Sequence, residues 1–182
     1  MNKYIFIILG NNKMDITTLS KYLDDKYTNY DFTIYPFTSN DGLKSVGSII
    51  PPLDQWNRIE LKLSKSKCCS VKKSVYIYHD IELHISEEEN KVFQRNVKHY
   101  EICKNFLVII SDDLILDMDS FPKINKYDNE YSINMKTYKF GSISLSLVKS
   151  ENGNYIEIKF KLDSKNSLNL INDINYINKL LQ

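Results

Sequence analysis

The chain has 182 residues, 42% of them hydrophobic, and a formal net charge of +1. That length makes one domain, 1–182, the default and buries about two thirds of the unfolded surface, which excludes a disordered tail. Balanced charge excludes a global field that gathers nucleic acid or membrane, and no apolar run approaches the roughly 18 residues of a membrane span.

Residue usage is skewed: there is no alanine, arginine occurs only at Arg58 and Arg95, and Ile, Lys, Asn and Tyr abound. We read this as the coding bias of an A+T-rich genome. The apolar run of "YIFIILG" is too short for a secretion signal and no small-residue cleavage site follows it. Three cysteines, Cys68, Cys69 and Cys103, then point to a reducing intracellular compartment, nuclear or cytoplasmic.

In chain order, "KYIFIIL" (3–9) is short, apolar and β-branched, as a buried strand is. Asp15 can cap a helix running to Tyr27, with Ile16, Leu19 and Leu23 at helical spacing. "DFTIYPF" (31–37) is the next strand, and Pro36 marks an edge or an end because proline cannot donate to a ladder. Residues 38–54, with Gly42, Gly47 and Pro51-Pro52, form a long surface loop.

Beyond Trp56 nearly everything alternates. The pattern predicts strands at 56–64, 73–86, 91–103, 105–110, 113–119, 131–138, 140–149 and 154–162, with an Asn152-Gly153 hairpin. At 164–182 the period changes to 3.6: Leu168, Ile171, Ile174, Ile177 and Leu181 share one stripe, and Ser164 or Ser167 can cap it. The expected fold class is α+β: mostly antiparallel sheet closing toward a barrel, with an N-terminal and a C-terminal helix.

In "WNRIELKLS" (56–64), a strand would place Arg58, Glu60 and Lys62 on one face and Ile59, Leu61 and Leu63 on the other. Those alternating charges resemble the E-x-E-x-K strand of the triphosphate tunnel metalloenzymes, the CYTH group, which includes RNA triphosphatases. In that family glutamates bind a divalent cation and basic residues hold a triphosphate. The resemblance implies Glu60, Lys62, Glu82, Glu157 and Lys159 as the catalytic set and Mg or Mn as cofactor. The departures are plain: Arg58 takes the first glutamate position, Glu82 stands where basic residues are usual, and "YIEIKFKL" keeps only Glu157 beside Lys159 and Lys161. Roughly two carboxylates remain where a hard cation wants several oxygens. The stretch therefore reads as surface, and no catalytic residue is assigned.

Other candidates are weaker. Asp113, Asp117 and Asp119 share strand parity and could ligate magnesium, although an outward face explains them equally. His99-x₃-Cys103 and the adjacent Cys68-Cys69 carry zinc-ligand residue types without the paired short spacings of a structural site. His79 and His84 have opposite parity. There is no P-loop, nucleophile elbow or dinucleotide fingerprint. Six basic residues in 57–73 precede an acidic stretch, Asp80 to Glu89; the pair could steer a phosphate-bearing partner such as nucleic acid, although hairpin tips of this kind are more often merely solvated.

Taken together, the order of elements resembles the small barrel subunits of the Mediator head module, subunit 20 more than subunit 18. Tyr138-Lys-Phe140-Gly141 through Leu162 matches the strand pair that closes those barrels. The resemblance implies a non-catalytic interaction subunit of a transcription-type complex, without cofactor or membrane contact, in a hetero-oligomer. The stripe Leu168, Ile171, Ile174, Ile177 and Leu181 would then dock into a groove on a partner or on the chain itself. A viral accessory protein on the same fold is a third possibility. The enzyme and scaffold alternatives differ in one place: glutamates converging inside the barrel favour the enzyme, and an interior of Ile59, Leu61, Ile156, Ile158 and Phe160 favours the scaffold.

Overall fold

The computed structural model describes residues 29–36, 53–102, 106–151, 153–161 and 167–181. The expected strand at 3–9, the expected helix at 15–27 and most of the loop at 38–54 lie outside them.

Eight antiparallel strands close into a barrel. They are β1 (Asp31–Pro36), β2 (Cys69–Tyr78), β3 (Ile81–Ser86), β4 (Asn90–Ile102), β5 (Phe106–Leu116), β6 (Asn129–Phe140), β7 (Ile143–Ser150) and β8 (Gly153–Lys161). The order around the wall is β1-β5-β4-β3-β2-β6-β7-β8. Closure is made by β1, which pairs Thr33 with Ile109 on one side and with Lys159 on the other. Among the described residues two helices complete the α+β architecture: α1 (Leu53–Leu63) and α2 (Ser167–Leu181). No described helix is long and apolar enough to cross a membrane.

Three expectations need correction. Residues 56–63 are the body of α1, not a strand, and Ser64 follows its end. Trp56, Ile59 and Leu63 are buried while Leu61 is 75% exposed, which is helical periodicity. Leu, Arg, Glu, Gln and Lys, which dominate the segment, also favour helix. Residues 73–86 are not one strand but the β2–β3 hairpin, which turns at His79 with φ 55°. No glycine or proline marks that turn; the His79 N–H donates instead to Asp128 Oδ2 at 2.6 Å. Finally, 105–110 and 113–119 merge into one strand, β5, that stops at Leu116 and passes into a short 3-10 turn.

The larger hydrophobic core lies outside the barrel, under the helices, and a smaller cluster of Val75, Ile133 and Val148 packs on the inner side. Phe32 and Ile34 of β1, Val108 and Ile110 of β5, the alternate residues 143–147 of β7, and Ile156, Ile158 and Phe160 of β8 all face outward. They meet Trp56, Ile59 and Leu63 of α1 and Leu170, Ile174, Ile177 and Leu181 of α2 in one cluster. Phe32 and Phe160 stack with centroids 4.9 Å apart. The α2 stripe therefore packs on its own barrel; the side chains of Leu168 and Ile171 lie outside the described set. Asp173 fastens the helix to the β6–β7 turn by accepting the Ser142 N–H at 2.9 Å and its hydroxyl at 3.0 Å. Gly141 in that turn has φ +58°, and a Cβ there would collide with the Asp173 carboxylate.

Candidate active site

Because side chains alternate along a strand, burying one face of β8 under the helices turns the other face inward. Tyr155, Glu157 and Lys159 thus enter the lumen. All eight strands contribute to the lining of a cavity of about 360 Å³ there, among them Tyr35, Lys73, Glu82, Arg95, Leu107, Tyr131, Ser150 and Glu157. Such a volume is in the range of roughly 300–1,000 Å³ common for small-molecule sites.

The charged side chains form two linked groups. In the first, Lys73 Nζ lies 3.2 Å from His84 Nδ1, and His84 Nε2 lies 3.0 Å from Glu82 Oε2. A lysine nitrogen only donates, so Nδ1 accepts, and the ring proton on Nε2 goes to Glu82. Arg95 Nε follows, 3.6 Å from Glu82 Oε1 and 3.8 Å from Asp113 Oδ1. In the second group, Glu157 Oε1 meets Lys159 Nζ at 3.2 Å and Glu157 Oε2 accepts from the Tyr35 hydroxyl at 3.1 Å.

Registry explains the convergence. On β2 and β3, Val75 faces His84 and Ile77 faces Glu82, which brings Lys73 to the same inner face. On β4 and β5, Arg95 stands opposite Asp113. The interior sets the protonation states. Burial alone would raise Glu157, but Lys159, Lys73 and the Tyr35 hydroxyl hold its carboxyl below the ordinary value. Glu82 is likewise held down, against burial, by His84 and Arg95. Burial lowers both Lys73 and His84, and for each a neighbouring lysine adds to the effect. His84 is therefore neutral at pH 7, and Lys73 holds its proton less firmly than an exposed lysine. Burial and Glu157 together push the Tyr35 phenol well up, so it stays a donor.

Of the expected catalytic set, Glu82, Glu157 and Lys159 share the lumen. Glu60 and Lys62 do not: they sit on α1, where Glu60 pairs with Lys136 at 2.8 Å and Lys62 donates to the Leu180 carbonyl. Asp113 is an inner residue beside Arg95, whereas Asp117 and Asp119 follow the end of β5 in the 3-10 turn. His99 lies 3.3 Å from Glu101. Cys68 and Cys69 are exposed thiols, and Cys103 lies outside the described residues. The sequence reading missed Tyr35, Lys73, His84 and Arg95. Arg95 carried a signal: it is one of two arginines in a chain that otherwise uses lysine, and its head is planar and always charged.

Lys73, Arg95 and Lys159 face Glu82, Asp113 and Glu157 among the described residues, so these charges of the lumen balance one another. Among the described residues no group of three carboxylate, histidine or cysteine side chains is placed to hold a metal ion by itself. The set suits a different arrangement. Mg²⁺ is commonly bound through one or two carboxylates together with substrate phosphates and water. Glu82 and Glu157 would be the protein's share once phosphates occupied Arg95 and Lys159.

No protein-family model matches the chain, and no curated protein matches its sequence. The solved structures do offer a likeness. The Pct1 RNA triphosphatase of S. pombe superposes with a TM-score of 0.56 at 12% identity, over 90% of this chain and 81% of that one. The same enzyme in complex with the Spt5 CTD gives 0.56 at 13% identity, over 93% and 86%. The closed barrel is the fold this chain shares with that enzyme. At such identities the likeness is one of fold alone.

Proposed function

We propose that this barrel is a divergent triphosphate tunnel: a phosphohydrolase that takes a triphosphate-bearing ligand, such as an RNA 5′ end or polyphosphate, together with a divalent cation. The observation that carries it is the convergence of Lys73, Arg95 and Lys159 with Glu82 and Glu157 in the lumen of a closed barrel. The fold shared with an RNA triphosphatase supports it.

Charge balance suggests how the site works. Phosphate oxygens bind the ammonium and guanidinium groups now held by carboxylates, and Arg95 offers the planar fork that suits a phosphoryl group. The carboxylates so released need a cation, which the phosphate chain brings with it. When bound, such an ion neutralises charge on the phosphoryl oxygens and the leaving phosphate. Water attacks the terminal phosphorus, the P–O bond to the next phosphate breaks, and Lys159 and Arg95 take up the charge on the departing oxygens. Glu157 and Glu82, held ionised, are the candidate acceptors of the water's proton.

The interaction-subunit role implied by the Mediator-barrel resemblance has no observation in its favour. Ile156, Ile158 and Phe160, which would have filled a scaffold's interior, are on the outer face instead.

The test is phosphate release from a 5′-triphosphate RNA and from inorganic tripolyphosphate, with Mg²⁺ or Mn²⁺, by the wild type and Arg95→Met. Cation-dependent release that the variant loses supports the function. No release with either substrate and either ion sinks it.

A further inference from the structure

A cavity larger than the lumen site, about 450 Å³, opens on the outer side of the same wall, lined by β2, β6, β7, the β3–β4 turn and Trp56 of α1. Strand pairing builds it. Lys72 of β2 stands opposite Asn134 of β6, and Asn134 opposite Lys149 of β7, which makes one row across three strands. Ser70 and Lys136 form the next row, two residues along. Neighbouring side chains on a strand point to opposite faces, so Lys72 and Lys149 face outward where Lys73 and Ser150 line the lumen. The basic run at 57–73 is thus divided: Lys73 serves the interior, and Lys72 joins two lysines from other strands outside.

These ammonium groups differ from the cations inside. In the lumen Arg95 and Lys159 are each held by a carboxylate. Outside, Lys136 is paired with Glu60 at 2.8 Å. Among the described residues Lys72 and Lys149 form no ion pair, although Glu87 and Glu88 also line the cavity. Lys149 Nζ sits instead over the Trp56 ring, 4.7 Å from its centroid. A neutral ring steers an ammonium and leaves its charge uncancelled. Cations gathered in a concavity focus the field on an entering anion.

We propose that this outer cavity is a second binding site, which holds the phosphodiester backbone of a single-stranded nucleic acid through Lys72 and Lys149, with Lys136 beside them. Trp56 is only 2% exposed and lies under the ammonium, so it offers no open face on which a base could stack. Acidic and phosphorylated peptide motifs are commonly gripped by arginine clusters, and no arginine lines this cavity. Lysines are point charges that suit the sequence-independent attraction of a backbone. The site does not depend on the hydrolysis proposed above, and a strand without any 5′ phosphate should occupy it.

The experiment is fluorescence anisotropy of the full chain with a labelled 5′-hydroxyl oligouridylate of about 12 nucleotides, at several salt concentrations. Log affinity should fall against log salt with a slope of about −1.4 to −2, as two or three phosphates are neutralised. Lys72→Gln with Lys149→Gln should flatten the slope by about 1.4 and weaken binding about tenfold at low salt, while tripolyphosphate affinity stays within about twofold. Glu87→Gln with Glu88→Gln should tighten oligonucleotide binding a few-fold. Absence of binding overturns the proposal, as does binding that survives in the folded lysine variant. Loss of oligonucleotide binding in Arg95→Met also overturns it, since the strand would then lie in the lumen. Displacement by oligoglutamate at equal charge overturns it in favour of an acidic peptide. Should the lysine variant not fold, the Glu87 and Glu88 variant decides, and no tightening there overturns the proposal. None of these outcomes bears on hydrolysis of tripolyphosphate, which is measured separately.

Discussion

The two faces of β8 make the central comparison. Outward, Ile156, Ile158 and Phe160 are at most 4% exposed and belong to the core beneath the helices. Inward, one residue out of phase, Tyr155, Glu157 and Lys159 line a cavity, where Glu157 is held by Lys159 and by the Tyr35 hydroxyl. A barrel of eight strands can fill its interior with side chains or keep a site in it. Here the helices supply an outer core, which leaves the lumen free to hold charge. Stability and the candidate chemistry are thus separated by the thickness of one strand, and mutations on the two faces should fail in different ways.

The largest effect on stability is expected outside. Ile158→Ala removes a fully buried side chain from the core and should cost about 2–5 kcal/mol, read by urea unfolding. Its effect on ligand affinity in the folded fraction should be within a factor of about two. A larger fall in affinity would mean that the two faces are coupled.

Inside the barrel the order reverses. Arg95→Met should weaken tripolyphosphate binding by about tenfold to a hundredfold, the loss of a bidentate charged partner, measured by titration. Because Arg95 lies between Glu82 and Asp113, the companion variant Arg95→Lys separates charge from shape: a point charge should recover only part of the affinity. Full recovery would remove the guanidinium geometry from the account.

Glu157→Gln sharpens the contrast further. It keeps an acceptor for the Tyr35 hydroxyl while removing the charge that faces Lys159 and Lys73. Tripolyphosphate should bind a few-fold more tightly without a divalent cation, as a like charge leaves the lumen, while any tightening by Mg²⁺ shrinks. An unchanged Mg²⁺ effect would take Glu157 out of cation binding.

Acid should weaken the fold from the inside. Glu82 and Glu157 have folded values below the ordinary 4.5, so the unfolded chain protonates first. Their contribution is fully present above about pH 4.5 and is lost as pH falls through the lowered folded values. Melting temperature should decline from about pH 5 downward, and the decline should be shallower in Glu157→Gln. The smallest effect belongs to α1. Glu60→Gln breaks an exposed pair with Lys136, should cost about 0–1 kcal/mol, and should leave binding and hydrolysis unchanged.

Much of the fold was legible because strand alternation and hairpin chemistry are local. Gly153 of the expected Asn152-Gly153 turn opens β8 opposite Ser150, the end of β7; Asn152 lies outside the described residues. The α2 stripe appears as a helix packed through Ile174, Ile177 and Leu181. Residues 56–64 misled because a nine-residue window fits either period: Ile59, Leu61 and Leu63 alternate, while Trp56, Ile59 and Leu63 recur helically. Only contact with the core distinguishes them, leaving Leu61 in water. The candidate site was half legible. Glu82, Glu157 and Lys159 were named through a family resemblance anchored on a segment that is not a strand. Lys73, His84 and Arg95 each look like ordinary surface residues until β2, β3 and β4 are laid side by side.

By itself the sequence determined the antiparallel strands, the tendency to close and the terminal amphipathic helix, because these depend on neighbours within a few residues. Period two states that each strand has two different faces, but not which of them encloses the lumen. That choice came from the helices, which cover the aliphatic face and turn the other one inward. The meeting of Lys73, Glu82, Arg95 and Glu157 was decided by the registers of a closed wall, and no local pattern encodes a distance across a barrel.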